Sequence, residues 1–234
     1  MINVSYLKTE AEKLGISLDD TALERFELLA QMLVDWNSRV NLTAITDPEE
    51  IVIKHFLDSL SPLAHIDLPN GAKVIDVGCG AGFPGLPILI ARPDLKVTFL
   101  DSIEKKLKFI ECFLNEATLF GETLHERAEI IGKQADHRER YDVAFTRAVA
   151  PLNVLAEYCL PLVKVGGAYV SMKGAEDEID IGKTAILEMG GEIDKVVSLK
   201  LPNEDRRNLV IIKKVSQTPT KYPRKSKKID TCPL

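Results

Sequence analysis

The sequence predicts an α/β protein with a mostly parallel β-sheet, preceded by a helical N-terminal segment. Two observations support this fold class. From Lys73 onward short apolar strands alternate with amphipathic helices, and the first strand runs directly into a glycine-rich turn. At 234 residues the chain can form one sizeable α/β domain with appended segments. We expect a helical segment packed on the core over 1–66, the core domain over 67–215 and a basic tail over 216–234.

The N-terminal segment contains two predicted helices. Apolar side chains recur at three- and four-residue steps along one face of the first helix: Leu23, Phe26, Leu29, Leu33 and Trp36. Ser17 or Asp19 can cap this helix, and we interpret Trp36 as a core residue. The second helix is predicted to start at Asp47, with Pro48 in its first turn, and to continue through Leu60.

The rest of the chain predicts strands and helices in alternation. The predicted strands cover 73–78, 96–101, 122–125, 141–148, 166–174, 192–202 and 207–215. The predicted helices cover 85–93, 102–118, 151–163 and 176–191. Such alternation is typical of a parallel sheet covered on both faces. Only a short link joins the last two strands, so one of them can lie antiparallel at the sheet edge.

The glycine-rich turn, within VIDVGCGAGFPGLP, indicates a nucleotide-like ligand. Its glycines follow a GxGxG pattern at Gly78, Gly80 and Gly82, whereas a pyrophosphate-binding turn has GxGxxG. Asp76 precedes the turn, and a carboxylate facing the ligand would disfavour a pyrophosphate and favour a cationic ligand such as S-adenosylmethionine. Asp101 ends the next strand, where an acid can accept hydrogen bonds from both ribose hydroxyls. The alternative is that Asp76 and Asp101 only cap helices.

Composition and charge exclude several other classes of protein. No apolar run is long enough to span a membrane, and the N-terminus has no signal-peptide pattern, so we expect a cytoplasmic protein. The four cysteines and four histidines are scattered, which predicts neither a disulfide framework nor a metal site. The net charge is −5, yet residues 213–228 carry seven Lys/Arg and no acid. This basic tail is either a contact for a polyanion or a solvated terminus.

Four blocks of the chain resemble the bacterial 16S ribosomal RNA guanine-N7 methyltransferase G family, also called glucose-inhibited division protein B. They are DWNSRVNLTAITDPEEIVIKHFLDSL (35–60), VIDVGCGAGFPGLPI (74–88), FTRAVAPL (145–152) and YPRKSKKIDTCPL (222–234). The resemblance implies a seven-stranded Rossmann-like methyltransferase fold with S-adenosylmethionine as methyl donor. It also implies methylation of N7 of a guanine in the decoding-region loop of 16S rRNA, in the small ribosomal subunit.

The resemblance also implies cofactor contacts at Gly78, Phe83, Ala128, Glu129 and Arg147, to which the residue analysis adds Asp76, Gly80 and Asp101. Guanine N7 carries no proton, so no general base is needed, and we expect Arg147, Lys173 or His55 to act in positioning. Cations are the candidates for RNA binding, because they can hold phosphates. They are Arg39, Lys54, Arg206, Arg207, Lys221, Arg224 and Lys225.

Other functions stay open on the residues alone. A small-molecule methyltransferase would share the cofactor site, and a ribosome-assembly factor without catalysis would share the basic tail. A dehydrogenase is the weakest alternative, because the glycine spacing does not fit a dinucleotide. We expect a monomer that acts on small-subunit rRNA without contacting a membrane, and no metal. We interpret Cys79, inside the glycine turn, as a small apolar residue rather than a nucleophile.

Overall fold

The computed structural model describes residues 1–147, 150–174 and 179–234. The strands are β1 (Lys73–Val77), β2 (Lys96–Asp101), β3 (Gly121–His125), β4 (Tyr141–Arg147), β5 (Val163–Lys173), β6 (Gly191–Lys200) and β7 (Arg206–Lys214). The helices are α1 (Val4–Lys13), α2 (Asp20–Asn37), α3 (Pro48–Glu50), α4 (Asp58–Leu60), α5 (Gly85–Ala91), α6 (Glu104–Glu116), α7 (Ala128–Ile131), α8 (Leu152–Cys159), α9 (Ile179–Glu188) and α10 (Ser226–Thr231). The predicted end of the fourth strand at Ala148 and the predicted helix start at 176–178 lie outside the described residues.

The strands form one seven-stranded sheet in the order β3-β2-β1-β4-β5-β7-β6, which confirms the predicted fold class. Strands β1 to β5 pair in parallel, and β7 runs antiparallel to both β5 and β6. The antiparallel strand β7 therefore lies inside the sheet and not at its edge. The edge strand on this side is β6. The chain order reverses between β2 and β4 on either side of β1, which is where ligands bind in open α/β sheets.

The N-terminal helices pack on the same apolar core as one face of the sheet. Asp19, rather than Ser17, caps α2, since its side chain accepts a hydrogen bond from the N–H of Ala22 at 2.7 Å. Trp36 packs edge-on against Phe109 of α6 with ring centroids 5.7 Å apart, so its placement agrees with a core residue.

The predicted helix after Asp47 forms, with Asp47 as its N-cap, but its middle is π-helical over Ile51–Leu57. Short α-helical turns precede and follow this stretch, and a 3-10 turn (Ser61–Ala64) ends it. The sequence pattern cannot separate π from α geometry over seven residues, and such segments are frequent at functional sites. The 48–64 helix carries Lys54, His55 and Asp58 to the carboxyl edge of the sheet.

The tail after β7 is folded onto the domain instead of extending from it. Its helix α10 buries Ile229, and Tyr222 is also buried. Arg224 Nη2 lies 2.6 Å from Glu157 Oε2 on α8, and the Glu157 side chain has no solvent-exposed surface. Arg224 therefore pairs with an internal carboxylate. The sequence analysis expected Arg224 to bind RNA, and the structure does not present it for that contact. Among the described residues no helix is long and apolar enough to cross a membrane.

The turn between β1 and α5 is closed by the fully buried carboxylate of Asp76. Its Oδ2 accepts a hydrogen bond from the N–H of Gly85 at 2.8 Å, at the start of α5. A Cβ atom on Gly85 would lie 2.5 Å from Phe99 Cε1 and 2.8 Å from Asp76 Oδ2. The glycine of the Phe-Pro-Gly extension is thus required by close packing of the helix on β1 and β2.

Replacing Gly85 by alanine should lower the free energy of unfolding by about 1–3 kcal/mol, because the added methyl overpacks this contact. Denaturant unfolding measures the change. Gly174→Ala is the matched control, since a Cβ there meets no atom within 4 Å. Equal stabilities of the two variants would contradict the packing argument.

Asp76 should also make stability depend on pH. Burial raises the pKa of Asp76 to about 7, so between its unfolded value and pH 7 the folded state binds more protons. The free energy of unfolding therefore falls as pH rises through this window, by about 2–3 kcal/mol from pH 5 to pH 8. Asp76→Asn should remove this component, so the difference between the variant and wild-type curves isolates Asp76. A pH-independent difference would refute the prediction.

Candidate active site

A cleft of about 880 Å³ opens at the carboxyl edge of the sheet. Its walls come from the chain after β1, β2, β3, β4 and β5, from the start of β7, and from the 48–64 helix. This volume suits a nucleoside-sized ligand together with part of a second reactant. The sheet order thus collects side chains that lie far apart in the sequence.

The glycine turn forms the floor of the cleft at Gly78 and Gly80, whose φ angles are +69° and +57°. A Cβ on Gly80 would meet no atom within 4 Å, so this glycine leaves open space on the cleft side. At Gly82, by contrast, a Cβ would lie 2.5 Å from Leu86 Cδ1, so that glycine serves internal packing. An open glycine cradle at the end of β1 fits a bound S-adenosylmethionine.

Asp101 lines the cleft at the end of β2, as predicted. Its Oδ2 accepts a hydrogen bond from the N–H of Gly80 and its Oδ1 one from the N–H of Ile103, both at 2.9 Å. These bonds fix the glycine turn against β2, and each carboxylate oxygen keeps a second lone pair. Asp101 can therefore hold the turn and still accept from ribose hydroxyls.

Asp76 does not line the cleft, contrary to the sequence expectation that its carboxylate faces the ligand. It is fully buried beneath the turn and holds the start of α5. The sequence argument placed the charge correctly next to the turn but could not decide which side of β1 it faces. Its influence on a ligand would act through the shape of the turn.

The loop after β3 forms the far wall of the cleft and brings in Ala128 and Glu129, as the resemblance implied. Glu126 and Tyr158 line the cleft at the same end, and the sequence analysis did not single them out. Three carboxylates, those of Asp101, Glu126 and Glu129, therefore border this end of the cleft.

Arg147 lies at the opposite side, at the end of β4, and its guanidinium is mostly enclosed. Its Nη1 donates to the carbonyl oxygen of Lys54 at 2.7 Å and to Asp58 Oδ2 at 3.4 Å. The guanidinium also lies over the ring of Phe83, 5.1 Å from the centroid. Burial lowers the pKa of Arg147, while the charge of Asp58 opposes that shift. The guanidinium of Arg147 nevertheless remains protonated, because an arginine does not lose its proton in proteins.

His55 is held between Arg147 and Thr43. Arg147 Nη2 donates to Nδ1 at 2.9 Å; because a guanidinium only donates, the ring proton must lie on Nε2, which donates to Thr43 Oγ1 at 2.9 Å. The imidazole stacks on Phe83 with centroids 4.4 Å apart and planes 6° from parallel. Burial, reinforced by Arg147, lowers the pKa of His55 to about 3, so the ring is neutral.

Asp58 is another residue of the cleft that the sequence analysis did not single out. Its Oδ2 lies 3.4 Å from Arg147 Nη1 and 3.3 Å from Arg207 Nε, so one carboxylate bridges two guanidiniums. Burial raises the pKa of Asp58, and both arginines oppose that rise. Its Oδ1 is buried and finds no hydrogen-bond partner among the described residues. The available signal was an acid inside a strongly apolar helix, since a buried charge requires a partner.

Four cations line the side of the cleft where Arg147 lies: Lys54, Arg147, Lys173 and Arg207. Lys54 pairs with Glu50 at 2.5 Å, and Lys173, which is buried, donates to the carbonyl oxygen of Ala150. The remaining RNA-binding candidates do not line the cleft: Arg39, Arg206, Lys221, Arg224 and Lys225. The structure thus brings the positioning candidates Arg147, Lys173 and His55 together and leaves the tail cations elsewhere.

Cys79 is buried in the turn, and burial raises the pKa of its thiol, which keeps it protonated. This placement agrees with a small apolar residue rather than a nucleophile. Within the described ranges, no group of His, Cys, Asp and Glu is arranged to hold a metal ion.

Solved structures share this architecture. An S-adenosylmethionine-dependent O-methyltransferase from Thermotoga maritima is similar with a TM-score of 0.52 and 19% identity, over 80% of this chain and 72% of that protein. TrmN from Thermus thermophilus is similar with a TM-score of 0.54 and 16% identity, over 70% of this chain and 53% of that protein. At these identities the likeness establishes the Rossmann-like methyltransferase fold alone.

Proteins of related sequence are much more similar to this chain than these solved structures are. The ribosomal RNA small subunit methyltransferase G of Acetivibrio thermocellus is 48% identical over 96% of this chain and 93% of that protein. The protein of the same name from Bacillus subtilis is 48% identical over 92% of this chain and 91% of its own length. The model of the family described as rRNA small subunit methyltransferase G matches residues 22–210. Because the family model covers most of the chain and relatives match nearly its whole length at up to 48% identity, this chain belongs to the rRNA small subunit methyltransferase G family.

Proposed function

We propose that this chain binds S-adenosylmethionine between the glycine turn and the Ala128–Glu129 wall, and transfers its methyl group to N7 of a guanine in the decoding-region loop of 16S rRNA. Family membership supports the cofactor and the rRNA substrate. The observation that carries the assignment of the two reactants is the division of charge along the cleft. At one end three carboxylates, those of Asp101, Glu126 and Glu129, outnumber the two cations Lys106 and Arg127. At the other end four cations, Lys54, Arg147, Lys173 and Arg207, outnumber the one carboxylate of Asp58.

The carboxylate end suits the methyl donor. S-adenosylmethionine supplies an activated methyl on a cationic sulfonium and carries an ammonium and a ribose but no phosphate. Asp101 is placed to accept from the ribose hydroxyls, Gly78 lines the cleft beside it, and Gly80 leaves room for close approach of the ligand. Glu129 and Glu126 add negative charge at the same end, which attracts a cationic ligand.

The cationic end suits a polynucleotide. Lys54 and Arg207 lie where they can hold RNA phosphates while a base enters the cleft toward Phe83 and Arg147. A guanine must leave the RNA stack to reach an enclosed methyl group. Because N7 offers a lone pair and loses no proton, the site needs no base. The neutral His55, whose Nδ1 is already bonded to Arg147, is placed to orient rather than to titrate.

A cytoplasmic location, a monomeric state and the division of the chain at residues 66 and 215 stay predictions. Arg206, Arg39, Lys221 and Lys225 are exposed and can contact RNA only outside the cleft. We propose that Lys54 and Arg207 carry the larger share of acceptor binding.

The chemical assignment is tested by labelled methyl transfer to small ribosomal subunits from a strain that lacks this gene. Mass spectrometry of the rRNA should then locate one modified guanine in the decoding-region loop. Methylation at N7 places a positive charge on the ring, so reduction and aniline treatment should cleave the chain at that nucleotide. A methyl that survives this treatment, or one placed on another base, would rule out the N7 assignment.

Asp58→Asn should reduce kcat/KM for small subunits by about tenfold or more, because Arg147 and Arg207 lose the charge that holds them. Asp205→Asn is the matched control, since Asp205 pairs with Arg207 at 3.7 Å but does not line the cleft. A thermal melt shows whether each variant is folded. Equal kcat/KM values for the two variants would contradict a role for Asp58 in the site.

A further inference from the structure

The C-terminal segment runs along α8, from near the end of that helix to its start. Near the start of the segment, the Thr218 hydroxyl donates to the carbonyl oxygen of Met189, just after α9, at 2.8 Å. The same hydroxyl accepts a hydrogen bond from the buried ammonium of Lys214. Further on, Arg224 forms its ion pair with Glu157 of α8. At the end of the chain, Asn153 Nδ2, at the start of α8, donates to the carbonyl oxygen of Leu234 at 3.4 Å.

Two hydrogen bonds join α10 directly to the wall of the cleft. The Tyr158 hydroxyl donates to Asp230 Oδ1 at 3.0 Å, and Arg127 Nη1 donates to Ser226 Oγ at 3.5 Å. Tyr158 and Arg127 both line the cleft at the end where Ala128 and Glu129 lie. Asp230 and Ser226 do not line it, so any effect of theirs on a ligand must pass through these partners.

The tail also contacts the residue that follows α7, next to this wall. Gly132, which follows α7, packs so closely on Pro223 that a Cβ would lie 3.1 Å from Pro223 Cγ. The Arg138 guanidinium donates to the carbonyl oxygens of Gly132 at 2.8 Å, Tyr222 at 2.9 Å and Thr218 at 2.6 Å. One side chain therefore ties the end of the Ala128–Glu129 segment to two points of the tail.

The charged side chains of the C-terminal segment differ in the partners that they contact. Arg224 is enclosed against Glu157, whose side chain has no exposed surface, and removing either would leave a charge without its partner. Lys227 of α10 is exposed, and its backbone carbonyl oxygen accepts a hydrogen bond from Thr231 Oγ1 at 2.7 Å. The acidic residue of α10, not its cations, makes the contact with the cleft wall.

We propose that the C-terminal segment braces the cofactor end of the cleft, with Asp230 as a positioning residue that acts through Tyr158. The proposal rests on the cofactor placement given under the proposed function. The brace holds Tyr158 and Arg127 in place and thereby fixes the Ala128–Glu129 wall before the ligand binds. Preorganisation of a wall strengthens binding because less ordering is left for the ligand to impose.

The test measures the Kd for S-adenosylmethionine by calorimetry on the full chain. Asp230→Ala should weaken binding by about threefold to tenfold, the range of an ordinary net hydrogen bond, because only the positioning of Tyr158 is lost. Lys227→Ala, on the same helix, should leave this Kd unchanged. Melting curves of both variants are compared, so that a general loss of folding is not mistaken for a local effect.

A double-mutant cycle with Tyr158→Phe decides whether Asp230 acts through Tyr158. If it does, Asp230→Ala should weaken cofactor binding far less in the Tyr158→Phe background than in the wild type. Fully additive effects, or an unchanged Kd for Asp230→Ala, would overturn the proposal. Loss of rRNA affinity in Lys227→Ala with cofactor binding intact in Asp230→Ala would instead make the tail an RNA contact.

The outcome is separable from the proposed function. A wild-type chain that binds S-adenosylmethionine but does not methylate 16S rRNA refutes the acceptor assignment, and the cycle on cofactor binding still tests the brace. A wild-type chain that does not bind the cofactor refutes both the cofactor placement and the brace.

Discussion

The contact on which the site depends is the enclosed ion cluster of Arg147, Asp58 and Arg207. Arg147 ends a central strand, and its partners, the Lys54 carbonyl, His55 and Asp58, all come from the 48–64 helix. Separating that helix from the sheet would leave a guanidinium and a carboxylate without partners, at a cost of about 3–5 kcal/mol for a buried pair. The N-terminal segment is therefore part of the wall of the cleft. Phe83 completes the cluster by packing against both His55 and Arg147.

The order of the strands explains why the two ends of the cleft differ in charge. Asp101, Glu126 and Glu129 follow β2 and β3 on one side of β1, whereas Arg147 and Lys173 end β4 and β5 on the other. The reversed strand β7 begins at the same edge and adds Arg207 to the cationic side. A ligand with a cationic group and a polyanionic acceptor can thus enter the same cleft from opposite ends without competing for the same charges.

The tail shows how composition and position can point in different directions. The seven Lys/Arg of residues 213–228 suggested a contact for a polyanion, yet Arg224 is used internally and Lys214, at the end of β7, is fully buried. Lys214 is held by the carbonyl oxygens of Leu160 and Met189 and by Glu139, and burial lowers its pKa to about 8. Charge counted along a chain therefore overstates the charge that a surface presents.

The sequence by itself determined the α/β class, the positions of the strands and of most helices, the cap at Asp47, the glycine turn and the placement of Asp101 and Arg147 at strand ends. These follow from hydrophobic periodicity, turn chemistry and family motifs, which are written in neighbouring residues. Only the tertiary structure decided that Asp76 faces the interior, that the middle of the 48–64 helix is π-helical, and that Asp58 joins two arginines. Asp58 lies 89 residues from Arg147 and 149 from Arg207. Ion pairs over such separations depend on strand order and burial, which no local pattern encodes.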